Sequence, residues 1–212
     1  LIGLLATHPI TTFFTGDASL CRRPMARVTE PVARMGARVL ARSGGRLPLA
    51  IVGAMDPVPI VYELPVPSAQ IKSAVLLAGL NTPGETAVIE TRSSRDHTEI
   101  MLQAFGAEVR ISKRDAGGRV IAITGQPELC ARPISVPGDP SSAAFPGVAA
   151  LIVPGSEVTV QGIGLNPTRI GLLQTLSDMG AKIDIAETTE VPGERLGDVT
   201  FRAGPLHGID VP

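Results

Sequence analysis

One phrase recurs three times along the 212-residue chain: Met35-Gly36-Ala37-Arg38-Val39, Phe105-Gly106-Ala107-Glu108-Val109 and Met179-Gly180-Ala181-Lys182-Ile183. The intervals between its glycines, from Gly36 to Gly106 and from Gly106 to Gly180, are nearly equal, and a long, nearly fixed period means that one supersecondary unit is built repeatedly. Each glycine closes a stretch whose apolar residues fall three and four apart: Pro24 to Met35, His97 to Phe105 and Pro167 to Met179. That is the spacing of an amphipathic helix ended by a glycine C-cap. After each cap come two short alternating segments separated by a turn, the second copies reading "RLPLAIVG", "RVIAITG" and "DVTFRAGPL", the pattern of a β-hairpin. A second marker keeps the period. Pro83-Gly84 and Pro154-Gly155 stand almost the same interval apart, follow the Ala-rich segments Ser68 to Leu80 and Ser141 to Ile152, and lead into strands Thr86 to Glu90 and Glu157 to Gln161. The unit reads helix, strand, helix, strand, strand. Its first copy is incomplete, with Leu1 to Ala6 as the tail of an opening helix before the strand Thr11 to Thr15; we expect a piece cut at both ends.

The Ala-rich helices are apolar nearly all round and belong inside, whereas the amphipathic ones suit the outside of a sheet. Because the strand pair ending each unit must run antiparallel, an α/β body with mixed sheets is expected, not a doubly wound sheet. Composition agrees: with no Trp, one Tyr (Tyr62) and five Phe, the core must be built from Ala, Val, Ile and Leu. The 23 Gly and 19 Pro are dispersed between apolar segments and read as turns. Nineteen Lys+Arg against 20 Asp+Glu give a net charge of −1, which argues against nucleic acid as partner. The longest apolar runs, Ala74 to Leu80 and Val148 to Val153, fall short of the roughly 20 residues of a membrane span. Cys21 and Cys130 have no metal-ligand spacing and read as small buried residues in a reducing cytoplasm. GxGxxG, Walker, HExxH and GxSxG motifs are absent.

The arginines are more specific. Helix N-termini attract anions and disfavour positive side chains, so an Arg at a helix start needs a reason. Arg22 and Arg23 precede Pro24, read as a first helical residue. Arg95 precedes Asp96, which has capping-box spacing to Glu99. Asn166-Pro167-Thr168-Arg169 repeats the cap-then-Pro pattern, and Arg95 stands as far before its capping Gly106 as Arg169 does before Gly180. Such entrances suit a phosphorylated ligand. For Arg169 alone a surface role is preferred. Arg23 and Arg95 point to function because they accompany another polar helix start, Ser68-Ala69-Gln70, on a helix where Gln70 and Lys72 are out of place among apolar residues. His97 reads as a surface residue of a capping turn, and His8 and His207 carry no pattern.

The strings "GDASLCRRPM", "PSAQIKSAVLLAGL", "SRDHTE", "VPGDPSSAAFP" and "NPTR", in this order, resemble the 5-enolpyruvylshikimate-3-phosphate synthase family, above all its bacterial class II branch, over about Gly3 to Pro212. The resemblance implies an inside-out α/β barrel of two domains, three repeats each, with the chain crossing near Ser135 to Gly138. Residues 1–137 would be most of one domain and 138–212 the first part of the other. It implies transfer of the enolpyruvyl group of phosphoenolpyruvate to the 5-hydroxyl of shikimate 3-phosphate, by a cytoplasmic monomer, without metal or organic cofactor, in the pathway that glyphosate blocks. By position, Ser68, Ala69, Gln70 and Arg95 match shikimate 3-phosphate contacts; Arg23 matches a phosphoenolpyruvate contact, and Gln70 would lie near both substrates. Cys21 and Arg22 depart from the family's usual Thr-Lys pair. The family's N-terminal Lys-Ser...Arg segment, its glyphosate-related glycine-rich stretch and its C-terminal acid/base groups match nothing in residues 1–212, so no catalytic residue is assigned and the 212 residues alone are expected to be inactive. The sister transferase acting on UDP-N-acetylglucosamine ranks second, since it shows "GCAIG.RP" where this chain has "GDASLCRRP"; RNA 3'-phosphate cyclase ranks lower on the charge balance. A non-catalytic anion-binding repeat module is the third reading.

Overall fold

The three glycine caps share one geometry. In the computed structural model, which describes residues 1–191 and 193–210, Gly36, Gly106 and Gly180 have φ of 108°, 92° and 88°, the left-handed region where a Cβ is strained. Each closes the same pair of hydrogen bonds. Gly36 N–H donates to the Ala33 carbonyl and Ala37 N–H to the Val32 carbonyl, and the pairs Gly106 to Gln103 with Ala107 to Leu102, and Gly180 to Ser177 with Ala181 to Leu176, repeat it. This is the Schellman motif, and it explains why the repeated phrase is centred on Gly-Ala.

The chain divides into two compact units, Leu1–Ala131 and Arg132–Pro212. The first unit contains α1 (Ile2–Leu5), β1 (Thr11–Phe14), α2 (Ala18–Arg22), α3 (Ala26–Arg34), β2 (Arg38–Arg42), β3 (Arg46–Val52), β4 (Val61–Glu63), α4 (Ala69–Leu80), β5 (Glu85–Glu90), α5 (His97–Ala104), β6 (Val109–Lys113) and β7 (Arg119–Thr124). The second contains α6 (Pro140–Ile152), β8 (Glu157–Gly164), α7 (Gly171–Asp178), β9 (Lys182–Val191) and β10 (Glu194–Arg202). Strand order repeats as the elements do: β1-β3-β2, β5-β7-β6 and β8-β10-β9. In every copy the hairpin's second strand lies between its partner and the unit's first strand, antiparallel to both. The expected mixed sheet arises from β4, which pairs parallel with β5 through Val61–Ala87, Tyr62–Val88 and Glu63–Ile89. At three residues β4 is too short to leave a periodic signal.

α4 lies between two apolar clusters of the first unit. It gives Ile71, Val75 and Leu76 to one, with Val88, Leu102, Ile121 and Ile123, and Ala78 to the other, with Val32, Met35 and Ile51. Small residues let its neighbours close in: a Cβ on Gly3 of α1 would come within 2.0 Å of the Ala74 carbonyl oxygen. The inside position expected for the Ala-rich helices holds for α4. For α6 it holds on one face only. Ala143, Gly147, Ala150 and Leu151 are buried, Gly147 against the Phe201 ring, while Phe145 is 80% and Ile152 65% exposed, because the sheet β8-β10-β9 supplies one surface to pack on.

Three local expectations are corrected. Pro24 is not a first helical residue: it bridges to Arg46, Met25 N–H donates to the Gly45 carbonyl, and α3 starts at Ala26. α7 starts at Gly171, so Asn166 caps no helix there; its buried side chain accepts from the Thr168 N–H (2.9 Å) and hydroxyl (2.6 Å), forming a local turn. Cys130 is exposed, not buried, and Cys21 is half-buried with Sγ 3.3 Å from the Gly16 carbonyl.

Candidate anion-binding site

The site begins with the start of α4. Ser68 has extended backbone (φ −147°, ψ 108°) and its hydroxyl accepts from the Ile71 N–H at 3.4 Å, the geometry of an N-cap. Ala69 and Gln70 open the helix, Gln70 exposed. Their amides belong to the helix end where partial positive charge collects.

Next to it comes the start of α5. The Ser73 hydroxyl on α4 meets the Thr98 hydroxyl on α5 at 2.6 Å, and the Lys72 ammonium reaches the Ser94 carbonyl at 3.5 Å. Arg95 follows Ser94 directly and precedes the N-cap Asp96. Ser68, Ala69, Gln70 and Arg95 are thereby carried on two neighbouring helix entrances. Arg23 is held elsewhere in the unit, as the C-cap of α2, a helix that packs on β3. The carboxylate that fills α2's own N-terminus is Asp17, which accepts from Leu20 N–H at 2.7 Å. An Arg at the end of that helix is favoured by the dipole, so Arg23 needs no ligand to explain it, contrary to the helix-start argument from sequence.

Arg95 and Arg169 invite comparison, since each stands immediately before the N-cap of its helix. Arg169 donates to Asp139 Oδ1 (2.6 Å) and Ser141 Oγ (2.9 Å). Asp139 in turn caps α6 through the Ser141 and Ser142 amides, and these bonds, the Ser141 amide first, with the Arg169 charge hold its carboxyl below the ordinary Asp value. That helix entrance is filled by the chain's own anion, and Arg169 serves the cap, as the surface reading has it. Arg95 is exposed and pairs with no carboxylate among the described residues.

The capping box read at Asp96 and Glu99 does not form. Asp96 makes no side-chain cap bond to its helix, and Glu99, 1% exposed, turns inward with Oε1 2.6 Å from Lys72 Nζ. Lys72, fully buried, also pairs with Glu90 at 3.3 Å. Arg119 hydrogen-bonds Glu90 through Nε and lies 3.8 Å from Glu99. Two cations and two carboxylates make a cluster with no net charge, the condition under which burial is tolerable. Burial alone would raise the Glu90 carboxyl, but bonds from Ser94 and Arg119 and the charges of Lys72 and Arg119 outweigh it and hold the group below its ordinary value. This cluster was not read from sequence, although a signal existed: a lysine inside a dry helix requires a buried counter-ion, and Glu90 ends the apolar run Thr86 to Ile89.

Among the described residues no group of three or more His, Cys, Asp or Glu is arranged to hold a metal ion, and no helix is long and apolar enough to cross a membrane. The arrangement offers amide donors, a hydroxyl, an amide side chain and the exposed Arg95 guanidinium, groups that bind an oxyanion and its hydroxyl substituents.

The family model of EPSP synthase (3-phosphoshikimate 1-carboxyvinyltransferase) matches residues 1–211. The chain is 58% identical over its full length to the 3-phosphoshikimate 1-carboxyvinyltransferase of Paramagnetospirillum magneticum, covering 48% of that protein, and 59% identical to that of Rhodospirillum rubrum, covering 47%. It thus spans about half the length of the curated relatives it matches. Among solved structures, EPSP synthase from Acinetobacter baumannii superposes with a TM-score of 0.83 at 40% identity, covering all of this chain and 47% of that one. The enolpyruvyl transferase NikO from Streptomyces tendae superposes at 0.65 over 95% of this chain and 45% of its own, with 17% identity, a likeness of fold.

Proposed function

The chain belongs to the EPSP synthase family, and on that premise we propose that the protein it represents transfers the enolpyruvyl group of phosphoenolpyruvate to the 5-hydroxyl of shikimate 3-phosphate and releases phosphate. The observation that carries the reading is Arg95, an exposed guanidinium that no carboxylate among the described residues neutralises, in the segment leading into α5, whose Thr98 hydroxyl meets Ser73 of the Ser68-capped α4. In this reading Arg95, Ser68 and the amides of Ala69 and Gln70 bind shikimate 3-phosphate. Gln70 sits near both substrates, and Arg23 meets phosphoenolpyruvate. Fixed donors of this kind stabilise charge at little reorganisation cost. We propose further that residues 1–137 and 138–212 belong to two three-repeat domains, that the acid/base groups come from parts of the protein beyond these 212 residues, and that it works as a cytoplasmic monomer without metal or organic cofactor.

Phosphate release by the full-length protein tests this, with phosphoenolpyruvate and either shikimate 3-phosphate or UDP-N-acetylglucosamine as acceptor. Turnover with the shikimate ester alone is expected, and none from the 212-residue chain by itself. Turnover with the nucleotide sugar instead would overturn the assignment.

A further inference from the structure

Ser94 spends every polar atom it has on the buried charge cluster. Its N–H lies 3.4 Å from both oxygens of Glu90, its hydroxyl donates to Glu90 Oε2 at 2.8 Å, and its carbonyl accepts from Lys72 (3.5 Å) and Arg119 (3.3 Å). The residue that follows is Arg95. On the other side Lys72 belongs to the helix whose cap is Ser68, and its own N–H donates to the Ser68 carbonyl at 3.1 Å. One buried, neutral cluster therefore holds the backbone at Ser94, next to Arg95, and ties it through the Lys72 side chain to the first turn of the helix that Ser68 caps. The backbone also closes in on Glu90: a Cβ on Gly118, the residue before Arg119, would come within 2.3 Å of the Glu90 carbonyl oxygen.

An ion cluster of this kind is a poor way to gain stability, because desolvation consumes most of the Coulomb attraction. What it does supply is fixed direction, since a carboxylate accepting several bonds and a guanidinium donating several have few alternative arrangements. We propose that Lys72, Glu90 and Arg119, acting through Ser94, are positioning residues for Arg95: they set its backbone relative to the Ser68–Gln70 helix start, so that the phosphorylated substrate meets a preformed site. Glu99 completes the charge balance. This rests on Arg95 and Ser68 binding shikimate 3-phosphate.

The test is a double-mutant cycle in the full-length protein, with affinity for shikimate 3-phosphate read by calorimetry and folding by thermal denaturation. Ser94→Ala removes the hydroxyl bond and little bulk, and is expected to weaken binding about fivefold, what the loss of one supporting hydrogen bond implies. Ser94→Thr, which keeps the hydroxyl, is expected to bind as the parent does. In an Arg95→Ala background, Ser94→Ala is expected to change affinity less than about twofold, because the residue it serves is gone. Glu90→Gln, probing the ionic side, is expected to show the same dependence on background. An equal loss with and without Arg95, or no loss in either, would overturn the positioning role alone. An Arg95→Ala protein that binds undiminished would overturn the site reading, and the positioning role with it.

Discussion

Arg95 and Arg169 show how little a residue's place in a repeat decides about its work. Both stand just before a helix N-cap, and their equal distances from the capping glycines put them in register on sequence alone. What separates them is the neighbouring carboxylate: Asp139 takes Arg169, whereas Arg95 has no such partner among the described residues. Sequence could rank them but could not show this, since Asp139 lies far from Arg169 along the chain and only the fold brings the two together. Glu90 is the other informative residue. Its folded carboxyl lies below the ordinary value of 4.5, so it contributes stability that is complete above that value and is lost as pH falls through the lowered folded one. Denaturation midpoints measured from pH 6 down to about pH 2 should therefore fall more gently for Glu90→Gln than for the parent chain. Parallel curves would mean that other groups govern the acid limb.

At the scale of elements, the amphipathic helices and hairpins were legible because each leaves a period of its own and an end marked by glycine. Strand order was not legible: nothing in β1, β5 or β8 says that it pairs with the third strand of its unit and not the second. Helix burial was half legible. α4 and α6 are both strongly apolar, yet within these 212 residues α4 is enclosed and α6 has Phe145 and Ile152 uncovered, since burial depends on what is stacked against a helix and not on its sequence alone. This contrast has a measurable consequence in the 212-residue chain. Phe201→Ala, which empties a position 1% exposed, should cost about 3–5 kcal/mol in denaturant unfolding. Phe145→Ala, at a position 80% exposed, should cost less than about 0.5 kcal/mol. Similar costs for the two would mean that α6 is packed differently from the arrangement described.

For the whole molecule, the repeat carries the fold and departures from the repeat carry the site. Among the described residues the Schellman caps, the antiparallel strand order and the helix-to-hairpin connections recur in all three copies; Lys72, Glu90, Ser94 and Arg119 do not, and Arg95 differs from its counterpart Arg169 in having no carboxylate partner. Near-neutral charge over 212 residues hid this, because the buried cluster cancels internally while Arg95 is left to face solvent. The central claim is that this exposed arginine, next to Ser94 in the segment leading into α5, binds the phosphorylated substrate. Calorimetric titration of the full-length protein with shikimate 3-phosphate, comparing the parent with Arg95→Ala and Arg169→Ala, tests it most directly. Saturable binding by the parent, weakened by about 1.5–3 kcal/mol in Arg95→Ala as for a lost bond to a charged group and unchanged in Arg169→Ala, is the predicted result. Equal affinity in all three would contradict it.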